Sequence, residues 1–520
     1  MNLLRAASTI SLLTLASRIT GLARETMAAG LFGATAMMDA YLVAFRIPNL
    51  LRRLFAEGAF SQAFVPLLAA TKAAEGEAAT RRLIDAVATV LLWALVATSV
   101  VGVVAAPVLV WLLGSGLPGP AFDASVTMTR FMFPYIACMS MVALSAGILN
   151  TWRRFVVPAA TPVLLNLSVI ATGWALAGPL ERAGYPGIYA MAFGVMLGGV
   201  LQLLVQWPAL RAADAMPRMR LSLAGFRESR ANPGVGRVIR GMGPALLGVG
   251  VSQLSLMINT QISSHLAEGA TSWLNYADRL MEFPIGLLGV ALAAVLTPQL
   301  SAAQASGASE RYSRLLDWGL RMVMLLALPC AVALIVFAEP LTAVLYHRKA
   351  FRPEDVVHTA QAVMGWGVGL MGLIAVKVLA PGFYARQDTG TPAKIAIAVL
   401  VLTQLFNLVF VPWIGVAGLA LSIGLGALVN AGWLLWGLRK LGGYRPEPGW
   451  AGFGLRVVLG CVAMGLLQWQ LATRLDWIAL GAREIQRGAV MAGCLSASAA
   501  VYFAVLLLVG LRPRALGRPS

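Results

Sequence analysis

Residues 32–48 read FGATAMMDAYLVAFRIP, and residues 268–284 read EGATSWLNYADRLMEFP. Each stretch carries a Gly-Ala-Thr triplet near its start and ends on a proline, Pro48 or Pro284, at a common offset of 236 without gaps. The matching positions predict that the chain contains two copies of one structural unit.

A second, weaker match supports the duplication. Trp-Arg-Arg at 152–154 corresponds to Arg-Gln-Asp at 386–388, and each triplet is followed by a proline, at an offset of 234. Because six apolar segments separate the copies, both keep the same orientation. This predicts two parallel lobes related by an axis along the membrane normal, an arrangement in which transporters bind substrate between the lobes and alternate access.

The composition indicates a membrane protein. Of 520 residues, 59% are hydrophobic and 12% are charged, and the mean hydropathy is +0.78. Soluble domains carry about 25% charged residues, so an ordinary soluble enzyme and a disordered chain are excluded. Since a spanning helix needs about 20 apolar residues, we predict an all-α polytopic protein with about 14 transmembrane helices. The predicted spans are 8–32, 37–68, 83–113, 125–149, 157–178, 187–210, 238–263, 271–300, 315–338, 357–384, 392–412, 416–438, 451–472 and 488–511.

The Lys and Arg residues of the connections fall mostly on one side. With 14 spans, one side holds 23 of these residues and the other holds seven, which are Arg182, Arg348, Lys349, Arg352, Arg474, Arg483 and Arg487. Cytoplasmic connections collect Lys and Arg, so both termini are predicted to be cytoplasmic. The same asymmetry accounts for most of the net charge of +18 without a nucleic-acid partner.

The longest basic connection follows the sixth span and contains Pro217, Pro233 and Gly234. It resembles a linker between two six-helix halves. The predicted divisions are an N-lobe (1–212), a cytoplasmic linker (213–237), a C-lobe (238–440) and two further spans (451–511).

Ionisable residues interrupt the first two predicted spans. A central arginine costs roughly 2.5–3.5 kcal/mol on the insertion scale, so five facing lipid would cost on the order of 12–18 kcal/mol. These side chains therefore face protein or a water-filled cavity. They are Arg18, Arg24, Glu25, Asp39, Arg46, Arg52, Arg53 and Glu57.

Two interpretations of these charges stay open. The helical spacing places Arg18 and Glu25 on one face and Asp39, Arg46 and Arg53 on another, which favours internal ion pairs and snorkelling at helix ends. Five arginines outnumber three carboxylates, however, which favours an anion site, because guanidinium groups match phosphate oxygens with forked donors.

The eighth span carries Asp278, Arg279 and Glu282. Asp278 and Glu282 are four residues apart and share a face. This spacing leaves Arg279 to point at a cavity, and an ion pair with another helix is the alternative.

Other motifs indicate no enzyme. Residues 367–372 match GxGxxG, but they lie inside an apolar span, so the glycines are interpreted as helix-packing positions. The sequence contains no P-loop, HExxH or GxSxG motif, and its four cysteines lack metal-ligand spacing. We predict no catalytic residue, metal or cofactor.

Several long motifs resemble the MurJ (MviN) family of bacterial lipid II flippases, and the resemblance covers nearly the whole chain. The motifs are SRITGLARE at 17–25, DAY at 39–41, FRIPNLLRRLFAEG at 45–58, YADRLMEFP at 276–284 and KVLAP at 377–381.

The resemblance implies the fold of the multidrug/oligosaccharidyl-lipid/polysaccharide (MOP) exporters, which is MATE-like. Two six-helix lobes would enclose a cationic central cavity, and the two C-terminal helices would form a groove for the lipid tail. By similarity, Arg18, Arg24, Arg52 and Arg279 would bind substrate. Supporting cavity charges would be Glu25, Asp39, Arg46, Arg53, Asp278 and Glu282.

The implied function is to flip lipid II, an undecaprenyl-diphosphate-linked muropeptide, to the periplasmic leaflet of the bacterial inner membrane during peptidoglycan biosynthesis. The expected partners are lipid II, membrane lipids and the cell-wall synthesis machinery. The energy source stays open between the membrane potential and a monovalent cation. The alternatives are a flippase for another undecaprenyl-diphosphate glycan, a cation-coupled MATE-type drug exporter and a scaffold for cell-wall enzymes.

Overall fold

A computed structural model of the chain describes residues 3–53 and 60–511, which are helical nearly throughout. Contacts divide the chain into two compact units, Met1–Thr271 and Ser272–Ser520. The helices of the first unit are α1 (Leu3–Phe32), α2 (Ala36–Leu51), α3 (Ser61–Val104), α4 (Ala106–Gly114), α5 (Gly119–Met132), α6 (Tyr135–Thr151), α7 (Val156–Arg182), α8 (Tyr189–Ala212), α9 (Leu223–Arg230) and α10 (Pro233–Ser264). Those of the second are α11 (Ala270–Pro284, which begins at the boundary), α12 (Val290–Ala305), α13 (Ser309–Val336), α14 (Ala338–Tyr346), α15 (Pro353–Ala385), α16 (Gly390–Ile414), α17 (Val416–Lys440), α18 (Trp450–Arg474) and α19 (Glu484–Leu508).

Each unit is built by packing helix on helix. In the first, α7 contacts α1 and α8, α2 contacts α5, and α3 contacts α6. The expected linker contains α9 and the start of α10, and α10 packs on α3 and α4. In the second, α15 contacts α12, α13, α14 and α17, while α18 contacts α13 and α19.

The chain is a multi-pass membrane protein. Within the described ranges, eleven helical segments are long and apolar enough to cross a membrane. Helices α1, α2 and α10 occupy the first, second and seventh predicted spans, so the expected total of fourteen is compatible with the structure. Large apolar side chains lie on the surface, including Trp413 of α16, which is 87% exposed. Such exposure is favourable in lipid and unusual in water.

The connection between the second and third predicted spans is helical. Residues 69–82 belong to α3. The helix is interrupted only at Gly76, whose φ of +78° suits glycine because it has no Cβ. Residues 54–59, which include Glu57, lie outside the described residues, as do Arg512, Arg514 and Arg518.

The duplication is visible in the backbone ahead of α2 and α11. Gly33 (φ +63°) and Gly269 (φ +87°) both adopt the left-handed conformation, at the predicted offset of 236. Each glycine therefore makes the turn that starts the corresponding helix of its copy.

The second predicted match is equally visible. Arg153 (φ +57°) and Gln387 (φ +60°) are both left-handed, although neither is glycine. In each copy the next residue donates its N–H to the carbonyl five residues earlier, at 2.8 Å in the first and 3.0 Å in the second. Two rare conformations at an offset of 234 confirm that the halves repeat one backbone design.

In each of the two equivalent helices, α2 and α11, a proline near the end is followed by π-helical backbone. Pro48 is followed by π-helical backbone at Arg52 and Arg53, and Pro284 is followed by the π-turn Ile285–Gly289. Proline lacks the N–H that a regular helix requires, so both copies leave the α-helical path at corresponding places.

Close packing of α15 on α17 uses the glycines of the GxGxxG segment. A Cβ added at Gly369 would lie 2.0 Å from Cα of Gly424, and one added at Gly372 would lie 2.5 Å from the backbone nitrogen of Leu428. The interpretation of this motif as a helix contact is confirmed.

Buried Asp317 of α13 attaches the connection that precedes α18. Its carboxylate accepts hydrogen bonds from Arg321 Nε at 2.7 Å, from the Tyr444 hydroxyl at 2.9 Å and from Trp450 Nε1 at 2.7 Å. Burial and the bond to Asp317 raise the pKa of the Tyr444 hydroxyl, so it stays protonated and donating. This carboxylate therefore anchors the connection and the first residue of α18 to α13.

Candidate functional site

Helix α1 is fixed to α7 beside its charged segment. Asn166 of α7 donates from Nδ2 to the carbonyl of Ser17 at 3.1 Å and to Oγ1 of Thr20 at 3.2 Å. Gly21 faces the same amide, since a Cβ there would lie 3.5 Å from it. The asparagine thus sets the position of the segment that carries Arg18, whose side chain is exposed.

The next turn of α1 carries a buried ion pair. Arg24 is 9% exposed and Glu25 is 5% exposed, and Nη2 of the arginine donates to Oε1 of the carboxylate at 2.6 Å. Two charges leave water here, so removing one partner would leave the other buried, at a cost of about 3–5 kcal/mol.

The start of α2 is tied to the segment that follows α10. Asp39, which is 3% exposed, accepts a hydrogen bond from the backbone N–H of Gly269 at 2.9 Å. Glu268 accepts from the N–H of Ala36 at 3.1 Å, which caps α2. A Cβ at Gly269 would lie 2.5 Å from the carbonyl oxygen of Ala34, so this approach requires glycine.

The arginines of α2 and of the segment that follows it also have polar neighbours. Arg46 donates to Oγ1 of buried Thr260 on α10. Arg52, just after α2, donates to Oδ1 of Asn49 from Nη2 at 2.7 Å and from Nε at 3.0 Å. Arg53 is half-buried. The structure therefore places cationic groups in the last part of α2 and directly after it, as expected for either interpretation of these charges.

In the second unit, α11 is anchored by aromatic side chains. Trp273 donates from Nε1 to Oδ1 of Asp355 at 2.9 Å, and the ring of Tyr276 packs 4.8 Å from that of Tyr346. These residues occupy the buried face of the helix. The charged residues at 278, 279 and 282 are consequently half-buried or exposed.

Arg279 forms an ion pair within its own helix. Its Nη1 donates to Oε2 of Glu282 at 2.8 Å, and the two side chains are 33% and 49% exposed. The expectation that Arg279 points at a cavity stays a prediction. Residues three apart meet as readily as residues four apart on a helix. Glu282 lies three residues after Arg279 and four after Asp278.

Sequence reasoning missed the neutral partners of these charges. Asn49 precedes Arg52 by three residues, a spacing that could have indicated their bond. Asn166, Thr260 and Gly269 lie 149, 214 and 230 residues from the groups they contact, and no local pattern indicates them. Among the described residues no group of His, Cys, Asp and Glu is arranged to hold a metal ion.

Comparison with known proteins decides the family. The family model described as lipid II flippase MurJ matches residues 28–480. The chain belongs to this family. It is 52% identical over 517 residues to the lipid II flippase MurJ of Burkholderia cenocepacia, a match that covers 98% of each chain. The prediction of a MurJ family member, a flippase rather than an enzyme, is confirmed.

The fold agrees with solved members of the superfamily. A MurJ structure in an inward closed conformation matches with a TM-score of 0.77 at 21% identity, covering 95% of this chain and 97% of that one. An inward-facing multidrug-resistance MATE transporter of the MOP superfamily matches with a TM-score of 0.68 at 16% identity, over 82% and 94% of the two chains. The expected MATE-like MOP fold is confirmed, and the substrate-binding residues stay a prediction.

Proposed function

We propose that this chain moves lipid II from the cytoplasmic to the periplasmic leaflet of the bacterial inner membrane by alternating access. The observation that carries the proposal is the retention of ionised residues on α1, α2 and α11 by a member of the MurJ family. Such residues in membrane helices are costly and usually functional. This activity supplies peptidoglycan biosynthesis.

The chemistry of lipid II suits these residues. Its diphosphate and its sugar-peptide headgroup would lose their hydration in hydrocarbon, at a prohibitive cost. Arginines can replace that hydration with charge-assisted hydrogen bonds. The proposed ligands of the diphosphate are Arg18, Arg24, Arg52 and Arg279, with Glu25, Asp39, Arg46, Arg53, Asp278 and Glu282 as supporting charges.

The lipid tail requires an apolar surface, which we place on α18 and α19. These helices pack together and expose Leu455, Leu466 and Trp469 of α18 and Leu507 of α19. The N-lobe and the C-lobe, which precede these two helices in the chain, would then bind the headgroup.

The remaining proposals concern the orientation of the chain in the membrane, its energy source and its protein partner. Both termini lie in the cytoplasm, as the distribution of Lys and Arg favours. Transport is coupled to the membrane potential or to a monovalent cation, and the cell-wall synthesis machinery is the proposed protein partner. No cofactor is required.

A depletion experiment tests the function. Cells in which this protein can be depleted are supplied with the wild type or a variant, and lipid II is probed with a reagent that reaches only the periplasmic face. We expect precursor to accumulate out of reach on depletion, the wild type to restore access, and Arg24→Lys and Arg279→Ala to fail. Normal access during depletion would contradict the flippase assignment, and build-up of another diphosphate-linked glycan or a drug would redirect it.

Controls separate transport from folding. Arg24→Ala would leave Glu25 buried and destabilise the protein, so Arg24→Lys and the double variant Arg24→Gln/Glu25→Gln are preferred. Arg182→Gln removes an exposed cation at the end of α7 and should restore access like the wild type. Each variant is checked for insertion and for its melting temperature.

A further inference from the structure

A second cationic cluster lies at one end of the second unit. It is formed by the connection between α14 and α15 and by the segment that leads into α19, and it includes Arg348 and Arg487. Arg487 lies in the first turn of α19 and is 0% exposed, although it carries a full charge.

Arg487 has too few partners for a buried cation. Its Nη2 donates to the carbonyl of His347 at 3.1 Å, whereas Nε and Nη1 make no hydrogen bond within the described part of the chain. The nearby carboxylate of Glu484 pairs with Nε of Arg348 at 3.2 Å. Buried donors are normally satisfied, and exceptions require an explanation such as an ion or ligand.

A second buried nitrogen near Arg487 also makes no hydrogen bond to the described residues. It is Nδ1 of His347. A Cβ added at Gly481 would lie 3.1 Å from Nη1 of Arg487 and 3.3 Å from this nitrogen. Gly481 therefore packs closely beside both nitrogens, and a side chain at this position would crowd them.

The surroundings favour a negatively charged occupant. Burial, together with the neighbouring Arg487 and Arg348, lowers the pKa of His347, and the same two positive charges attract an anion. Gly481 and Arg348 are partly exposed, which gives a ligand an approach. The cluster also lies next to the first residues of α15 and α19, two helices that are long and apolar enough to cross a membrane.

We propose that Arg487, His347 and Gly481 form a binding site for a phosphate group, supplied by a lipid headgroup or by free phosphate. The phosphate accepts hydrogen bonds from the unused nitrogens and neutralises Arg487. None of these residues belongs to the proposed diphosphate ligands, so the site is independent of the proposed transport function.

The test measures the melting temperature of the purified full chain in a maltoside detergent at constant ionic strength. One arm adds inorganic phosphate, and the other adds phosphatidylglycerol. A ligand that binds only the folded state raises the melting temperature in a concentration-dependent manner. We expect at least one arm to show saturable stabilisation, and the arm that does so identifies the source of the phosphate.

Two variants remove the site in different ways. Arg487→Met removes the charge, and Gly481→Ala crowds the two nitrogens while leaving the arginine in place, so both should weaken the apparent affinity at least tenfold. Arg483→Gln removes an exposed cation one turn away, and Gly488→Ala adds a methyl group where no atom lies within 4 Å. Both controls should respond like the wild type. Absence of stabilisation in both arms, or an equal response of Arg487→Met, would overturn the proposal.

Discussion

At the scale of single residues, the charges of this protein are held by short-range partners of several kinds. Glu25 accepts a hydrogen bond from its immediate neighbour Arg24, and Asp39 accepts one from the backbone N–H of Gly269. Arg52 is held by a neutral amide. Each of these hydrogen bonds joins an ionised group to a partner that counting charges on one helix face does not identify.

His347 makes a prediction about pH. Its pKa lies below the usual 6.5 because of burial and the charges of Arg487 and Arg348. Between the folded and unfolded pKa values the unfolded chain binds more protons, so stability should fall as the pH drops below about 6.5. His347→Gln should lose this dependence.

Melting temperatures of the wild type and His347→Gln between pH 7.5 and 5 measure this pH dependence of stability. His265→Gln, in the first unit, controls for removal of an imidazole. Parallel pH profiles for the wild type and His347→Gln would show that the histidine is not responsible.

At the scale of elements, helix contacts in each unit depend on small residues. The glycines of α15 let its backbone approach that of α17, and close approach of this kind supports helix association in lipid, where the hydrophobic effect between helices is absent. The same packing explains why a dinucleotide-like GxGxxG pattern occurs here without a nucleotide site.

Gly369→Ala should test this contact. The added methyl group would lie 2.0 Å from the Cα of Gly424, so the helices must separate, at a cost of about 3 kcal/mol, the upper range for overpacking. Gly432→Ala on α17 meets no atom within 4 Å and should stabilise the protein slightly, by up to about 1 kcal/mol, because alanine favours a helix over glycine. Thermal or denaturant unfolding in detergent measures both, and equal stability of the two variants would contradict the packing argument.

At the scale of the whole molecule, the distribution of Lys and Arg predicts how the chain is oriented. The connection between α12 and α13 belongs to the basic side, and that between α7 and α8 belongs to the other. The basic side should be cytoplasmic because positive connections are retained there.

Introduced cysteines test the orientation. Ala183→Cys and Ala305→Cys place thiols at exposed positions of the two connections, in a chain whose four native cysteines are replaced by alanine. A maleimide that cannot cross the membrane should label position 183 in intact spheroplasts and position 305 only after lysis. The reverse pattern would invert the proposed topology.

The repeat illustrates how far the sequence predicts the fold. Offsets of 236 and 234 predicted equivalent positions, and the structure has left-handed residues at both pairs, including the unusual Arg153 and Gln387. The charged stretch 69–82, between two predicted spans, is helical, since a helix can continue beyond the apolar core when its charges are solvated. Apolar length predicts where the membrane lies, and it does not predict where a helix ends.

The sequence by itself determined that the chain is helical, crosses a membrane many times, repeats internally and belongs to the MurJ family. Apolar length and backbone hydrogen bonding leave few alternatives in lipid, and long motifs are specific. Only the tertiary structure decided which group each charge meets. Asp39 with the N–H of Gly269, Arg46 with Thr260 and buried Arg487 beside Gly481 all depend on how the helices and loops pack. Such contacts join residues far apart in the chain, because the geometry of a side chain's neighbours is created by folding and not by spacing along one helix.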